Sequence, residues 1–142
     1  MAGTPDVLVV DDDRSIRTLV DELLTAELGA RVRGAGDGYE AMRAVLAARP
    51  ALVLLDLMLP NLDGLTVLRW LRGRPGLADV PVIALTGMPR ERAELALERG
   101  ADGVVLKPFD LDELVRLAGQ LIAGASERRA GGRGAPPGGR TI

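Results

Sequence analysis

The sequence predicts an α/β protein: a doubly wound, five-stranded parallel sheet with helices on both faces. Three observations predict it. Short apolar runs alternate five times with stretches of helical period. The runs Val7-Leu8-Val9-Val10 and Leu52-Val53-Leu54-Leu55 are continuously apolar rather than alternating, which is the pattern of a strand buried on both faces. Four of the five runs lead straight into a charged or hydroxyl side chain, and parallel strands deliver their carboxyl ends to one edge of a sheet.

Each element has a local reason. Val7–Val10 is mostly β-branched and reads as the first strand. It ends in Asp11-Asp12-Asp13, of which Asp13 is expected to cap a helix over Arg14–Leu28. In that helix Ile16, Leu19, Val20, Leu23 and Leu24 share one apolar face, and Gly29 stops it. Arg31–Ala35 is a weak second strand. Asp37 is the expected N-cap of the next helix, which carries Ala41, Met42, Val45 and Leu46 and ends before Pro50. The third strand, bounded by Pro50 and Pro60, runs into Asp56, and the loop Pro60-Asn61-Leu62-Asp63-Gly64 leads to a short helix over Leu65–Arg72. In that helix Leu68 and Leu71 face inward and Trp70 is half exposed. Val80–Leu85 is the fourth strand and ends in Thr86-Gly87. Pro89 suits a first helical position, and one helix is expected from Arg90 to Arg99. Gly103–Leu106 is the fifth strand and ends in Lys107-Pro108. Asp110 and Glu113 form a capping-box-like pair before a helix whose apolar face is Leu111, Leu114, Val115, Ala118, Leu121 and Ile122. From Gly124 the chain becomes rich in Gly, Arg and Pro without periodicity, so residues 1–123 are expected to form one domain and 124–142 a disordered tail.

Composition narrows the function classes. The chain of 142 residues is of single-domain size, with 47% hydrophobic and 27% charged residues and a net charge of -2. Such totals do not suggest a nucleic-acid or membrane-surface binder. There is no cysteine and no histidine, which excludes thiolate chemistry, a histidine base and a histidine metal ligand. Met1–Asp6 lacks a basic segment followed by an apolar one, and no apolar run approaches a membrane span. A cytoplasmic location with no membrane contact is the expectation. The glycines at 34, 36 and 38 do not fit a dinucleotide loop, and no phosphate-binding Gly-Lys-Ser/Thr loop is present.

With strand order 2-1-3-4-5, the first and third strands are neighbours and Asp11, Asp12 and Asp56 crowd together. Three carboxylates at one rim repel each other unless a cation is present. A hard divalent ion such as Mg²⁺ answers that need. Lys107 adds an ammonium and Thr86 a hydroxyl. A metal, an ammonium and a hydroxyl converging on one carboxylate form a site for a tetrahedral dianion, with Asp56 as nucleophile toward phosphorus.

The segments Val7–Asp13, Leu54–Pro60 with Asp63-Gly64, Ala84–Gly87 and Leu106–Phe109 resemble the signature segments of response-regulator receiver domains, in order, over about Asp6 to Ile122. The resemblance implies a flavodoxin-like fold, a phosphoacceptor at Asp56 and a metal pocket at Asp11 and Asp12. It also implies the backbone carbonyl of Met58 as a further metal ligand, Thr86 and Lys107 on the phosphoryl group, and a cis bond before Pro108. The implied donor is the phosphohistidine of a sensor histidine kinase or phosphotransfer protein. The expected activity is Mg²⁺-dependent self-phosphorylation and slow autodephosphorylation, without conventional turnover. A haloacid-dehalogenase-type phosphatase normally has a second Asp two residues after the nucleophile, where this chain has Met58. Two departures stand out. Val104 occupies the position, three before the lysine, where the family often has Tyr or Phe. Only the Gly/Arg/Pro segment follows the receiver, so output is expected through a downstream protein target with no DNA-binding domain. The alternative is a receiver-like binding module that works without phosphorylation.

Overall fold

In the computed structural model, which describes residues 3–130, the strands are β1 (Asp6–Val10), β2 (Arg31–Ala35), β3 (Leu52–Asp56), β4 (Val82–Thr86) and β5 (Gly103–Leu106). They pair in parallel in the order β2-β1-β3-β4-β5. The helices are α1 (Arg14–Leu28), α2 (Gly38–Ala47), α3 (Gly64–Gly73), α4 (Arg90–Ala93), α5 (Leu95–Glu98) and α6 (Leu111–Ala130).

Alternate residues of each strand build two separate cores. Leu8, Val10, Val53, Leu55, Val82 and Ala84 meet Ala41 and Val45 of α2 and Val67, Leu68 and Leu71 of α3. Val7, Val9, Leu52, Leu54, Ile83 and Leu85 meet Val20 and Leu24 of α1 and Leu114 and Ala118 of α6. This two-sided burial is why the strands read as unbroken apolar runs. Four aspartates start the longer helices. Asp13 Oδ1 accepts from Ser15 N, Asp37 Oδ1 from Glu40 N, Asp63 Oδ1 from Thr66 N, and Asp110 Oδ1 from Asp112 N and Glu113 N. Gly29 ends α1 in the left-handed conformation, at φ 63°.

The far end of α3 is tied down by one side chain. Arg72 donates to the carbonyls of Gly100 and Val80 and to Asp102 Oδ2, while Asp102 Oδ2 also accepts from Val82 N. At the amino edge of the sheet, a cavity of about 830 Å³ lies between the sheet and the end of α6, lined by Leu28, Pro50, Pro81 and Ile122 among others.

Three local expectations are corrected. The single helix over Arg90–Arg99 is two short pieces, α4 and α5. Around Glu94 the bonds shorten to i+3 spacing, as in Leu97 N to Glu94 O at 3.0 Å and Gly100 N to Leu97 O at 3.2 Å. The tighter turn buries Ala93 and Ala96 and leaves Leu97 at the surface. The last helix does not stop near Ile122. It continues through Gly124 to Ala130, because extending an existing helix needs no new nucleus and Ala125, Glu127 and Arg128 are good helix formers. The rest of the expected tail, 131–142, lies outside the described residues. Leu19, Leu46 and Leu111, read as members of apolar faces, are exposed.

Candidate functional site at the carboxyl edge of the sheet

The fold brings all the predicted site residues to one rim. Asp11 directly follows β1, Asp56 ends β3, Thr86 ends β4 and Lys107 directly follows β5. Asp11, Asp56 and Thr86 are buried, whereas Asp12 is exposed beside them. Carboxylate oxygens of Asp11, Asp12 and Asp56 lie within 4.8 Å of one another.

Lys107 bridges the two buried acids. Its Nζ donates to Asp11 Oδ2 at 2.7 Å and to Asp56 Oδ2 at 2.9 Å. The other oxygen of each acid is held by backbone. Met58 N donates to Asp56 Oδ1 at 2.8 Å, and Asp13 N donates to Asp11 Oδ1 at 2.9 Å. Thr86 Oγ1 accepts from Met88 N at 3.1 Å, and Lys107 N donates to the Thr86 carbonyl. The Lys107–Pro108 peptide bond is cis. Every buried side-chain nitrogen and oxygen among the described residues has a hydrogen-bond partner.

Electrostatics follow from this crowding. Burial pushes the Asp56 carboxyl above its ordinary value, and the neighbouring Asp11 charge adds to that. The Met58 N–H and Lys107 oppose it without cancelling it. Burial works against the Lys107 ammonium, but its bonds to Asp11 and Asp56 outweigh that and hold its pKa above the ordinary lysine value.

A metal fits this donor set. Three clustered carboxylates, one of them open to solvent, are all-oxygen ligands that leave room for waters, which is the environment Mg²⁺ prefers.

Some contributors were not legible as such. Gly64 was part of the Asp63-Gly64 motif, yet its packing role is new: a Cβ there would sit 2.3 Å from the Asp56 carbonyl oxygen and 2.6 Å from Leu57 Cα. Only glycine lets α3 start this close to the end of β3. Arg17 Nη1 donates to the Asp11 carbonyl at 2.7 Å, a bond between helix and strand end that no spacing rule announces.

A doubly wound sheet with an acidic, lysine-braced cleft at its carboxyl edge is the architecture of receiver domains. The chain belongs to the response regulator receiver domain family, which matches over residues 7–118. It is 44% identical over 110 residues to the DNA-binding response regulator MtrA of Mycolicibacterium paratuberculosis, an alignment covering 77% of this chain and 47% of that protein. The chain thus spans about half the length of such relatives. The receiver domain of the Francisella response regulator 1452 superposes with a TM-score of 0.77 at 32% identity, over 85% of this chain and 98% of that one. The receiver domain of the sensor histidine kinase PA1611 from Pseudomonas aeruginosa, solved with magnesium in its active-site cleft, gives a TM-score of 0.77 at 30% identity, over 85% and 99%.

These relatives overturn one expectation. Output through a protein target, with no DNA-binding domain, was inferred from the Gly/Arg/Pro composition of the last residues. MtrA is by name a DNA-binding response regulator, and RpaA of Synechocystis a DNA-binding dual master transcriptional regulator. The error is one of extent, since composition within this chain says nothing of the half of the relatives that it does not span. Among the described residues, no helix is long and apolar enough to cross a membrane.

Proposed function

We propose that this receiver takes a phosphoryl group onto Asp56 from the phosphohistidine of a sensor histidine kinase or phosphotransfer protein, in a reaction that needs Mg²⁺. The observation that carries the reading is Lys107 bridging Asp11 and Asp56 inside a three-carboxylate cluster. A structural ion pair would need only one acid.

The chemistry follows from the residues. An Asp56 carboxylate oxygen attacks phosphorus and forms a P–O bond. The P–N bond to the donor imidazole breaks, its electron pair stays on nitrogen, and solvent supplies the proton. The product is an acyl phosphate on Asp56. The Met58 N–H holds one carboxylate oxygen and so orients the other. Lys107 transfers its ammonium from carboxylate to phosphoryl oxygen, and the Thr86 hydroxyl reaches the same group. Asp11, Asp12, Asp56 and the Met58 carbonyl are the groups that would hold Mg²⁺, which supplies charge neutralisation to the phosphoryl oxygens. Thr86 then carries the change into β4 and the α4 region, a local charge event biasing a two-state element. By its likeness to MtrA, named a DNA-binding response regulator, we assign the output to control of DNA binding.

Intact-mass analysis after incubation with a small acyl-phosphate donor and Mg²⁺ tests this. One phosphoryl group should add to the wild type, and none to Asp56→Asn or to a metal-free sample. No addition from the small donor or from a phosphorylated histidine kinase would refute the reading and favour a phosphorylation-independent module.

A further inference from the structure

We propose that Asp37 and Asn61 form a latch that positions the β3–α3 loop, and with it the Met58 carbonyl, for the divalent cation of the acidic pocket. The inference rests on the reading above that this pocket takes Mg²⁺.

Residues 57–63 connect the end of β3 to α3. This loop follows the buried Asp56 directly, and Leu57, Leu59 and Leu62 pack on the core, but Met58 is 60% exposed and Asn61 at the turn is not among the core-packed residues. At its turn, Asn61 adopts φ 68°, and Leu62 N donates to the Pro60 carbonyl at 2.7 Å. A three-residue turn with positive φ at its centre is an unfavourable conformation that persists where surroundings hold it. The surroundings here are the amino end of α2. Asn61 Nδ2 donates to Asp37 Oδ2 at 3.2 Å. The next residue is clamped as well: a Cβ on Gly38 would lie 2.7 Å from the Leu62 carbonyl oxygen and 2.8 Å from Leu62 Cβ. The first residue of α2 and the β3–α3 loop are therefore closely packed at this point.

Asp37 divides its two oxygens between two tasks. Oδ1 caps α2 through Glu40 N at 2.8 Å, and Oδ2 holds Asn61. Its bond from the Glu40 N–H, and secondarily that from Asn61, keep this carboxyl below its ordinary pKa despite the cost of desolvation. It thus remains an acceptor for both partners at neutral pH. The helix cap is fixed to the body of the domain through Ala41 and Val45 in the core. The latch extends that fixity to the outer turn of the loop, beyond what Leu57, Leu59 and Leu62 anchor. Partners that orient a metal's ligands change affinity without touching the metal.

The experiment is isothermal titration of the whole chain with Mg²⁺, paired with urea unfolding in the absence of metal. Asn61→Gly keeps the left-handed turn and removes the amide. Asp37→Ser keeps a good N-cap and removes the second oxygen. Each should bind Mg²⁺ about fivefold more weakly, the worth of one net hydrogen bond. The exchange Asp37→Asn with Asn61→Asp rebuilds the bond with donor and acceptor reversed, and should restore affinity to within about twofold of wild type. Such rescue distinguishes positioning from a general loss of stability. Wild-type affinity in both single variants, or an exchange variant no better than the singles, would overturn the latch while leaving the metal site standing. Absence of Mg²⁺ binding by the wild type would overturn the metal reading and the latch together.

Discussion

Replacing Gly64 by alanine sets two known effects against each other. Alanine is favoured over glycine in a helix by up to about 1 kcal/mol, and Gly64 is the first residue of α3. Against that, the new Cβ would lie 2.3 Å from the Asp56 carbonyl oxygen, whereas a comfortable C···O contact is about 3.3 Å. The loop or the strand end must yield by roughly 1 Å, and both opposing atoms are backbone, so no rotamer change relieves the clash. Overpacking of this kind costs about 1–3 kcal/mol, and the upper end applies because Asp56 is pinned in the central strand. The net loss should be about 2 kcal/mol, lowering the melting temperature by roughly 6–10 °C for a domain of this size. Gly119→Ala provides the control. There the nearest atom is Leu28 Cδ2 at 3.5 Å, an ordinary contact in the middle of α6. The same chemical change should stabilise by about 0.5–1 kcal/mol. Thermal and urea unfolding of the two variants beside wild type decides the matter. A Gly64→Ala protein as stable as wild type would refute the claim that close backbone approach selects this glycine.

Other outcomes follow from the site and its supports. Asp56→Asn should stabilise the metal-free protein at pH 7. A carboxyl whose folded pKa is raised favours its protonated form on folding, so its charge costs stability above its ordinary value and costs nothing below it. The advantage of Asn should therefore fade as pH drops through the Asp56 folded pKa toward that ordinary value, and a constant advantage from pH 7 to 3 in urea unfolding would contradict it. Lys107→Ala leaves Asp11 and Asp56 facing each other. With the lysine side chain 25% exposed, the loss should be about 1–3 kcal/mol rather than that of a fully buried pair. Added Mg²⁺ should raise the melting temperature of Lys107→Ala more than that of wild type, and an equal rise would count against shared occupancy of the cleft. Arg72→Met should cost about 2–3 kcal/mol through the bonds that tie α3 to the segments leading into β4 and β5, read as a lower urea midpoint with an unchanged slope.

Much of this molecule was legible in its sequence for a specific reason. A parallel sheet covered on both faces leaves no polar position inside its central strands, so Val7–Val10 and Leu52–Leu55 announce themselves. Because all parallel strands end at one edge, the residues after them had to converge, and Asp11, Asp56, Thr86 and Lys107 do. What stayed hidden depends on contacts between distant residues or on small differences in helix geometry. The i+3 bonds that split α4 from α5 satisfy nearly the same apolar spacing as one helix. Continuation past Gly124 turns on propagation from α6, which composition alone does not weigh. The partner of Asn61 is Asp37, 24 positions earlier, a pairing that no local pattern announces.

Helix α6 has a mechanical consequence. Its 20 residues begin four positions after Lys107 and run well past the last core contacts. At 1.5 Å per residue it is a rod about 30 Å long. Rooted beside the reactive edge and packed on the core as far as Leu121 and Ile122, the rod leaves about eight residues, roughly 12 Å of helix, beyond its anchor. The helix thus joins the reactive edge to the far side of the domain as one stiff element, and its last two turns project past the core, where a neighbouring segment of chain would meet them first.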